Sequence, residues 1–276
     1  MPTIRSELEQ DTNVFYVTSH GYAADHWFGW LPKALNAHPE IFALLAHEGS
    51  RPKYIKTRTR GERPSLIPFT EFLNDMGMTY QAIGDCYSYR AHMMPEVIAE
   101  YGTSVPVVNM VRHPYVWLEF YVRWRAGNMR MRSGAGDPLE REWKTAAHKL
   151  FEKLSLRKYD KSEVAVWASF QGMVMLNEIV ADVESGLPQM KLEKVATDPN
   201  VFQGLVRYLT KERCEFSPEL LDLVYGWIDT PFRGEEKLHL VTDELYDQWP
   251  DWKKAAFPKL VNPKTLEIYN NLGYRL

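Results

Sequence analysis

The chain has 276 residues, and its 33 Lys and Arg against 36 Asp and Glu give a formal net charge of −3. This balance argues against general nucleic-acid binding, which usually needs a basic surplus. The length allows one large α/β domain or two small ones, and we expect a single domain over residues 1–276. The two cysteines, Cys86 and Cys214, suggest neither a disulfide framework nor a metal site, so a reducing compartment is expected.

The first ten residues, Met1 to Gln10, are polar and acidic and contain no apolar signal core. We find no run of about 20 apolar residues in the sequence, which is the length that a membrane-spanning helix needs. These features predict a soluble, cytoplasmic protein without a transmembrane segment.

The first structural pattern is a strand, a small-residue loop and a helix between Val14 and His38. Val14 to Val17 is apolar and β-branched or aromatic, and Asp25 is a reasonable N-cap for the helix that follows. Such a unit directs backbone N–H groups and a helix dipole toward an anion. It is also an ordinary feature of α/β proteins, and neither the phosphate-loop NTPase motif nor the dinucleotide Gly-x-Gly-x-x-Gly motif is present.

A second buried strand is predicted over 41–46, and Glu48 follows it. A carboxylate after a parallel strand lies at the edge where open α/β sheets bind ligands, although a surface turn residue is an equal alternative. Lys53 to Arg63 forms a basic loop that either lines an anionic site or is solvated.

The third clear strand runs from Val105 to Val111 and leads into Arg112, His113 and Pro114. An arginine at such a strand end can hold a phosphate in bidentate fashion, but it is more often part of a structural ion pair. The following helix carries aromatic residues at helical spacing, which predicts a core face. We interpret residues 123–132, with four arginines around a glycine, as a second basic loop.

The remaining pattern is mostly helical. A short strand and turn are expected over 80–85 and a short strand over 189–195, whereas helices are expected over 68–76, 93–101, 140–154, 170–184 and 200–209, from Ser217, and from Pro263.

Taken together, these patterns resemble those of sulfotransferases that use 3′-phosphoadenosine 5′-phosphosulfate (PAPS). Four segments carry the resemblance in the family's order: residues 14–39, 107–114, 190–209, and the ending from Trp252 to Tyr274. The first is similar to the strand, 5′-phosphosulfate loop and helix of bacterial members, and the second to the start of the 3′-phosphate motif. The resemblance implies a three-layer α/β/α fold around a mainly parallel sheet, similar to that of P-loop NTPases.

The resemblance also implies roles for individual residues. Glu48 would be the general base, Arg112 would hold the 3′-phosphate, and Ser19 would add a hydroxyl to the 5′-phosphosulfate site. His20 or His26 would act at the bridging oxygen, either protonated or as a neutral N–H donor. The implied nucleotide-binding set is Ser19, His20, Gly21, Tyr22, Ala23, Ala24, Asp25, His26 and Arg112.

The sequence departs from the family pattern in two places. Residues 18–26 contain no lysine or arginine, and Phe120 stands where the 3′-phosphate motif normally has a serine. The reaction implied is in-line transfer of a sulfuryl group from PAPS to a hydroxyl or amine of a small-molecule, lipid or glycan acceptor, without a metal. A nucleotide-binding relative that lacks transfer activity and an NTP-dependent phosphotransferase are the alternatives.

Overall fold

The structure is a computed structural model. It describes residues 12–20, 26–45, 79–87, 90–99, 104–132, 149, 152–153, 163–228 and 243–276. The chain forms two compact units: Met1–Val111 with Ala181–Lys237, called here the sheet unit, and Arg112–Val180 with Leu238–Leu276, called the helical unit. The expectation of one domain over residues 1–276 stays a prediction.

Among the residues that the structure describes, five parallel strands form the sheet, in the order β2-β3-β1-β4-β5. Helices flank them, which confirms the predicted α/β class with a parallel central sheet. The strands are β1 (Asn13–Ser19), β2 (Ile41–Leu45), β3 (Ala82–Cys86), β4 (Val107–Val111) and β5 (Gln189–Lys191).

The helices of the described residues lie between these strands and, after β5, follow one another to the end of the chain. They are α1 (His26–Leu35), α2 (Met94–Ala99, after a 3₁₀ turn at Ala91–Met93), α3 (Pro114–Arg132), α4 (Glu163–Leu176), α5 (Ile179–Glu184), α6 (Leu192–Thr197), α7 (Pro199–Thr210), α8 (Pro218–Gly226), α9 (Asp243–Asp247), α10 (Asp251–Leu260) and α11 (Pro263–Asn271).

The centre of the sheet is buried on both faces. All five residues of β3 and all five of β4 are buried, as are six of the seven in β1. This is why these strands are mostly apolar in the sequence rather than alternating, although they include buried polar residues such as Asp85 and Asn109. Gly84 in β3 is required by packing, because a Cβ there would lie 2.0 Å from the Phe15 ring.

Most predicted elements are confirmed where the structure describes them. The strands predicted near 14–17, 41–46, 80–85 and 105–111 are present, and Ser217 caps α8 by accepting the Leu220 N–H at 3.3 Å. The helix predicted over 93–101 is described over 94–99. The predicted helix at 68–76 and the basic loop at 53–63 lie outside the described residues, as does most of the predicted helix at 140–154.

Two predicted elements are wrong. Residues 123–132 are not a loop but the second half of α3, and residues 192–195 are not strand but part of α6. In α6 the buried residues Leu192, Val195 and Ala196 follow helical spacing, which the strand interpretation of 189–195 did not take into account.

The helical unit is built on close packing between α3 and α4. A Cβ added at Gly172 of α4 would lie 2.5 Å from Leu118 and 2.8 Å from Tyr121 of α3, so the glycine permits this approach. Trp117, Phe120 and Tyr121 are buried, which confirms the predicted aromatic core face. Because of this packing, α3 continues past Gly127, although a glycine inside a helix lowers helix stability by roughly 1 kcal/mol relative to alanine.

One stretch among the described residues, Val164–Glu184, is 21 residues long and is long and apolar enough to cross a membrane. Core helices of soluble proteins meet the same criteria, so the absence of a transmembrane segment stays a prediction. The stretch is also divided by a turn at 177–178, where the Asn177 amide donates to Leu260 O at 2.9 Å.

Candidate active site

The candidate site begins where β1 ends. His20 follows the last residue of β1, is 1% exposed, and donates its backbone N–H to Met110 O of β4 at 3.1 Å. In the strand order, the chain leaves β1 toward β2 at one edge of the sheet, and it leaves β4 toward β5 at the opposite edge. Open α/β sheets bind ligands beyond the carboxyl ends of strands at such a reversal, so His20 lies at the expected place.

A buried carboxylate from α5 organises this place. Asp182 is 0% exposed, and its Oδ2 lies 2.7 Å from His20 Nδ1. Its other oxygen, Oδ1, lies 3.0 Å from Nδ1 of His92, which stands in the 3₁₀ turn after β3. Arg90 Nη2 lies 4.0 Å from Oδ2. One carboxylate therefore holds two imidazole rings and faces one guanidinium group, and all four side chains belong to the sheet unit.

The charges in this cluster follow from burial and hydrogen bonding. Burial alone raises the pKa of Asp182, but the hydrogen bonds from His20 and His92 and the charge of Arg90 outweigh it, so the pKa lies below its usual value. Burial lowers the pKa of His20 more than its contacts with Asp182 raise it. At neutral pH the structure therefore holds an ionised Asp182 and a neutral His20.

This charge state fixes the tautomer of both rings. An ionised carboxylate only accepts hydrogen bonds, so the nitrogens that contact Asp182 carry protons. In His20 the proton is on Nδ1, and Nε2 holds the lone pair. His92 in its neutral form has the same tautomer, and its side chain is 39% exposed. The arrangement is a carboxylate–imidazole pair with an accessible basic nitrogen, which is suited to accept a proton.

The lowered pKa of His20 predicts how stability varies with pH. An unfolded histidine becomes protonated as the pH falls below about 6.5, whereas folded His20 stays neutral until its own lower pKa is reached. Below pH 6.5 the unfolded state therefore binds more protons, and stability falls by up to about 1.4 kcal/mol per pH unit. Urea unfolding between pH 5 and 7 should show a steeper loss in the wild type than in His20→Asn, which keeps a donor toward Asp182. Parallel curves for the two proteins would contradict a neutral buried His20.

The segment after β3 brings the basic side chains to the cluster. Tyr87, directly after β3, has a left-handed backbone with φ of 66°, and its N–H donates to Val17 O at 2.7 Å. A non-glycine residue in this conformation is uncommon and is found most often where a turn is strongly constrained. The turn redirects the chain so that Arg90 and His92 reach Asp182. Arg90 is 22% exposed and supplies a positive charge at the edge of the site.

The predicted site residues are described only in part. Ser19 is buried at the end of β1, and His20 is in the cluster. His26 is the first residue of α1, with its side chain outside the described residues, as are Glu48 and the loop residues Gly21, Tyr22, Ala23, Ala24 and Asp25. The roles assigned to all of these residues stay predictions.

Arg112 lies in the helical unit and is 2% exposed. Its guanidinium carbon lies 5.9 Å from the centre of the Phe120 ring. Phe120 is the residue that replaces the serine expected from the family pattern, so at this position Arg112 meets an aromatic ring rather than a hydroxyl.

Sequence reasoning missed Asp182, His92 and Arg90. Asp182 was included in a predicted helix with no sign that it faces the interior, and Arg90 and His92 lie just beyond a short predicted strand. A weak signal for Arg90 and His92 was their position after β3. The carboxyl ends of parallel strands lie at the same edge of a sheet, so polar residues that follow β3 are candidates for the same site as His20.

The two cysteine thiols are a poor source of nucleophilic chemistry. Both are buried and free. Burial raises the pKa of Cys86 well above its usual value, with the charge of Asp85 adding to the effect. Burial also raises the pKa of Cys214, together with the charge of Glu40. A nucleophilic cysteine needs the opposite shift, which favours the thiolate.

Comparison with known proteins gives structural neighbours only. No family model and no curated protein sequence matches the chain. It is similar to a sulfotransferase from Alicyclobacillus acidocaldarius (14% identity, 78% of this chain, 92% of that chain, TM-score 0.41). It is also similar to the sulfotransferase domain from the curacin biosynthetic pathway (16% identity, 96% and 99% coverage, TM-score 0.44). A third neighbour is the sulfotransferase domain from the Synechococcus PCC 7002 olefin synthase (16% identity, 96% of each chain, TM-score 0.41). At these identities and TM-scores, no residue role is transferred from these structures.

Proposed function

We propose that the protein is a sulfotransferase that moves a sulfuryl group from PAPS to a hydroxyl or amine of a small acceptor. The four sequence segments that resemble the family support this proposal. The observation that carries it is the Asp182 cluster, because an ionised carboxylate holds an accessible imidazole, His92, beside the end of β1. The segment around β1 is the one that resembles the family's 5′-phosphosulfate site.

The side chains at this edge fit an anionic donor in part. Arg90 offers a partly exposed positive charge, and the negative charge of Asp182 is already engaged by two imidazole N–H groups. PAPS, when bound, would supply the sulfuryl group, and its 3′-phosphoadenosine 5′-phosphate part would be the leaving group that takes the negative charge. We propose that Ser19, Arg90 and residues 20–26 contact its 5′-phosphosulfate, and the sequence resemblance alone assigns its 3′-phosphate to Arg112.

His92 is the base that we propose. Its Nδ1 donates to Asp182, and its Nε2 accepts the proton of the acceptor hydroxyl or amine. At the same time the oxygen or nitrogen of the acceptor bonds to sulfur, and the bond from sulfur to the phosphate oxygen of PAPS breaks. Asp182 stabilises the imidazolium that forms, in the manner of other carboxylate–histidine pairs. His20 is buried and neutral, so in this proposal it holds Asp182 from the interior instead of replacing the missing cation. Glu48 remains the alternative base.

A second candidate function is nucleotide binding without transfer. The absence of lysine and arginine from residues 18–26 favours it, because transfer needs positive charge at the leaving group. Detectable sulfate transfer from PAPS to any acceptor would exclude this candidate. The acceptor class and the cytoplasmic location also stay predictions.

Calorimetric titration with 3′-phosphoadenosine 5′-phosphate tests the proposal. We expect Arg112→Ala to weaken binding of this nucleotide by about 30-fold, on the order of 2 kcal/mol for a charged hydrogen bond, and to leave binding of adenosine 5′-phosphate nearly unchanged. Arg123→Ala is the matched control, because Arg123 is exposed and its guanidinium lies 5.7 Å from the same Phe120 ring.

Equal losses for the two nucleotides would contradict the role of Arg112. Failure of the wild type to bind 3′-phosphoadenosine 5′-phosphate, with tight binding of ATP and magnesium, would instead favour a phosphotransferase.

A further inference from the structure

A second group of potential ligands lies in the sheet unit, away from the Asp182 cluster. His38 and Glu40 lie in the turn between α1 and β2, and Cys214 lies in the connection between α7 and α8. One ligand atom from each residue lies within 4.8 Å of the others. Glu40 directly precedes β2, so this group is at the amino ends of the strands, opposite the candidate active site.

Local structure explains why the three side chains converge. His38 N–H donates to Leu35 O at 3.2 Å, and the His38 ring packs against Phe216 with centroids 5.3 Å apart. Cys214 N–H donates to Thr210 Oγ1 at 3.2 Å. Before Cys214, the chain turns sharply through two residues with left-handed backbones, Lys211 and Glu212. Both partners of Glu40 are thus fixed by contacts outside the group.

We propose that these residues bind a divalent transition-metal ion of the zinc class. Thiolate sulfur, imidazole nitrogen and carboxylate oxygen are the ligands that Zn²⁺ takes, with three protein ligands and a fourth position for water. Calcium and magnesium prefer oxygen ligands alone and do not suit a thiol. On binding, the Cys214 thiol loses its proton to solvent and the thiolate bonds to the metal.

The imidazole also rearranges on binding. The Glu40 N–H donates to His38 Nδ1 at 3.2 Å, so the neutral ring carries its proton on Nε2. The metal takes either Nδ1 in place of this amide contact or Nε2 in place of the proton.

The burial of the three residues indicates how the ion enters. His38 and Cys214 are 8% and 3% exposed, whereas Glu40 is exposed. The carboxylate therefore faces solvent on the entry side, and the softer nitrogen and sulfur ligands lie behind it. A bound ion would join the turn before β2 to the segment after α7, at the opposite ends of the strands from the proposed transfer reaction.

Metal titration of the full chain tests this inference. Protein stripped with a chelator is titrated with ZnCl₂ and, separately, with CoCl₂. We expect one zinc per chain by elemental analysis, a higher melting temperature with zinc, and a thiolate-to-cobalt charge-transfer band in the near ultraviolet. Cys214→Ser should abolish the band, and Glu40→Gln should weaken zinc binding about tenfold.

Cys86→Ser is the matched control, because Cys86 is the other buried thiol and lies in β3, outside the group. This variant should keep the band and the zinc stoichiometry. The inference is overturned if the wild type gives no cobalt–thiolate band, or if the band disappears in Cys86→Ser and not in Cys214→Ser. If Cys214→Ser fails to fold, Glu40→Gln is the deciding variant, because the Glu40 side chain is exposed. A zinc affinity of Glu40→Gln equal to that of the wild type would then overturn the inference.

Discussion

Replacing Asp182 with asparagine is expected to lower the free energy of unfolding by about 3 kcal/mol at pH 7, because hydrogen bonds to a charged group contribute about 1.5–3 kcal/mol each. The Asp182 carboxylate is fully buried and accepts from both His20 and His92. Asparagine offers one acceptor oxygen and replaces the other with an NH₂ group, which points a donor at an imidazole N–H. Urea unfolding followed by circular dichroism measures the loss.

The same substitution should lower sulfate-transfer turnover by about 100-fold, because the proposed base loses its orienting partner. Asp222→Asn is the control, since Asp222 is an exposed carboxylate in α8 of the same unit. Exposed substitutions of this kind usually change stability by less than about 0.5 kcal/mol. If Asp182→Asn were as stable as Asp222→Asn, the charge of Asp182 would not hold the cluster together.

The stability that Asp182 contributes should also disappear at low pH. Its pKa in the folded protein is below 3.8, the reference value for the unfolded chain. The contribution is therefore complete above pH 3.8 and is lost as the pH falls through the lower folded pKa. The difference in stability between the wild type and Asp182→Asn should shrink in that acidic range, well below the pH range in which His20 titrates in the unfolded chain.

The strands could be predicted because the sheet is parallel and covered on both faces. Such strands are mostly apolar, so Val107–Val111 and Ile41–Leu45 are visible as short, largely apolar runs between turn residues. Strand order is not encoded in this way. Nothing local in β3 indicates that it lies between β2 and β1, because that placement depends on contacts such as Phe15 against Gly84.

The wrong predictions share a physical cause, which is that tertiary packing overrides local propensity. Gly127 and Asn128 suggest a break in a basic segment, yet α3 continues through them because its earlier turns are fixed against α4. In α6, buried Leu192 and Val195 have partners in the fold that sequence alone does not supply.

The candidate site shows the same limit more sharply. His20 could be predicted, because a residue at the end of a buried parallel strand lies at the ligand edge. Its partners could not, since Asp182 is 162 residues away and His92 is held through the same carboxylate. The partners also change the chemistry that His20 can perform. An isolated histidine titrates near neutral pH, whereas burial and Asp182 keep this one neutral with its proton on Nδ1.

His92→Gln should lower sulfate-transfer turnover by about 100-fold and leave the affinity for 3′-phosphoadenosine 5′-phosphate nearly unchanged. Glutamine keeps a donor toward Asp182 but has no nitrogen that can accept a proton at neutral pH, so the loss should fall on the chemical step. The acidic limb of the pH profile of kcat/KM, which reports a base in the free enzyme, should disappear with it. The fold should change little, because the His92 side chain is 39% exposed.

Glu48→Gln is the matched comparison, because Glu48 is the base that the sequence resemblance implies. If His92 is the base, Glu48→Gln keeps the acidic limb and most of the turnover. If Glu48→Gln loses turnover with unchanged nucleotide affinity and His92→Gln does not, Glu48 is the base and Asp182 organises a structural cluster. The two variants thus separate proton transfer from the support of the fold, because both replace a titratable group with the same neutral side chain.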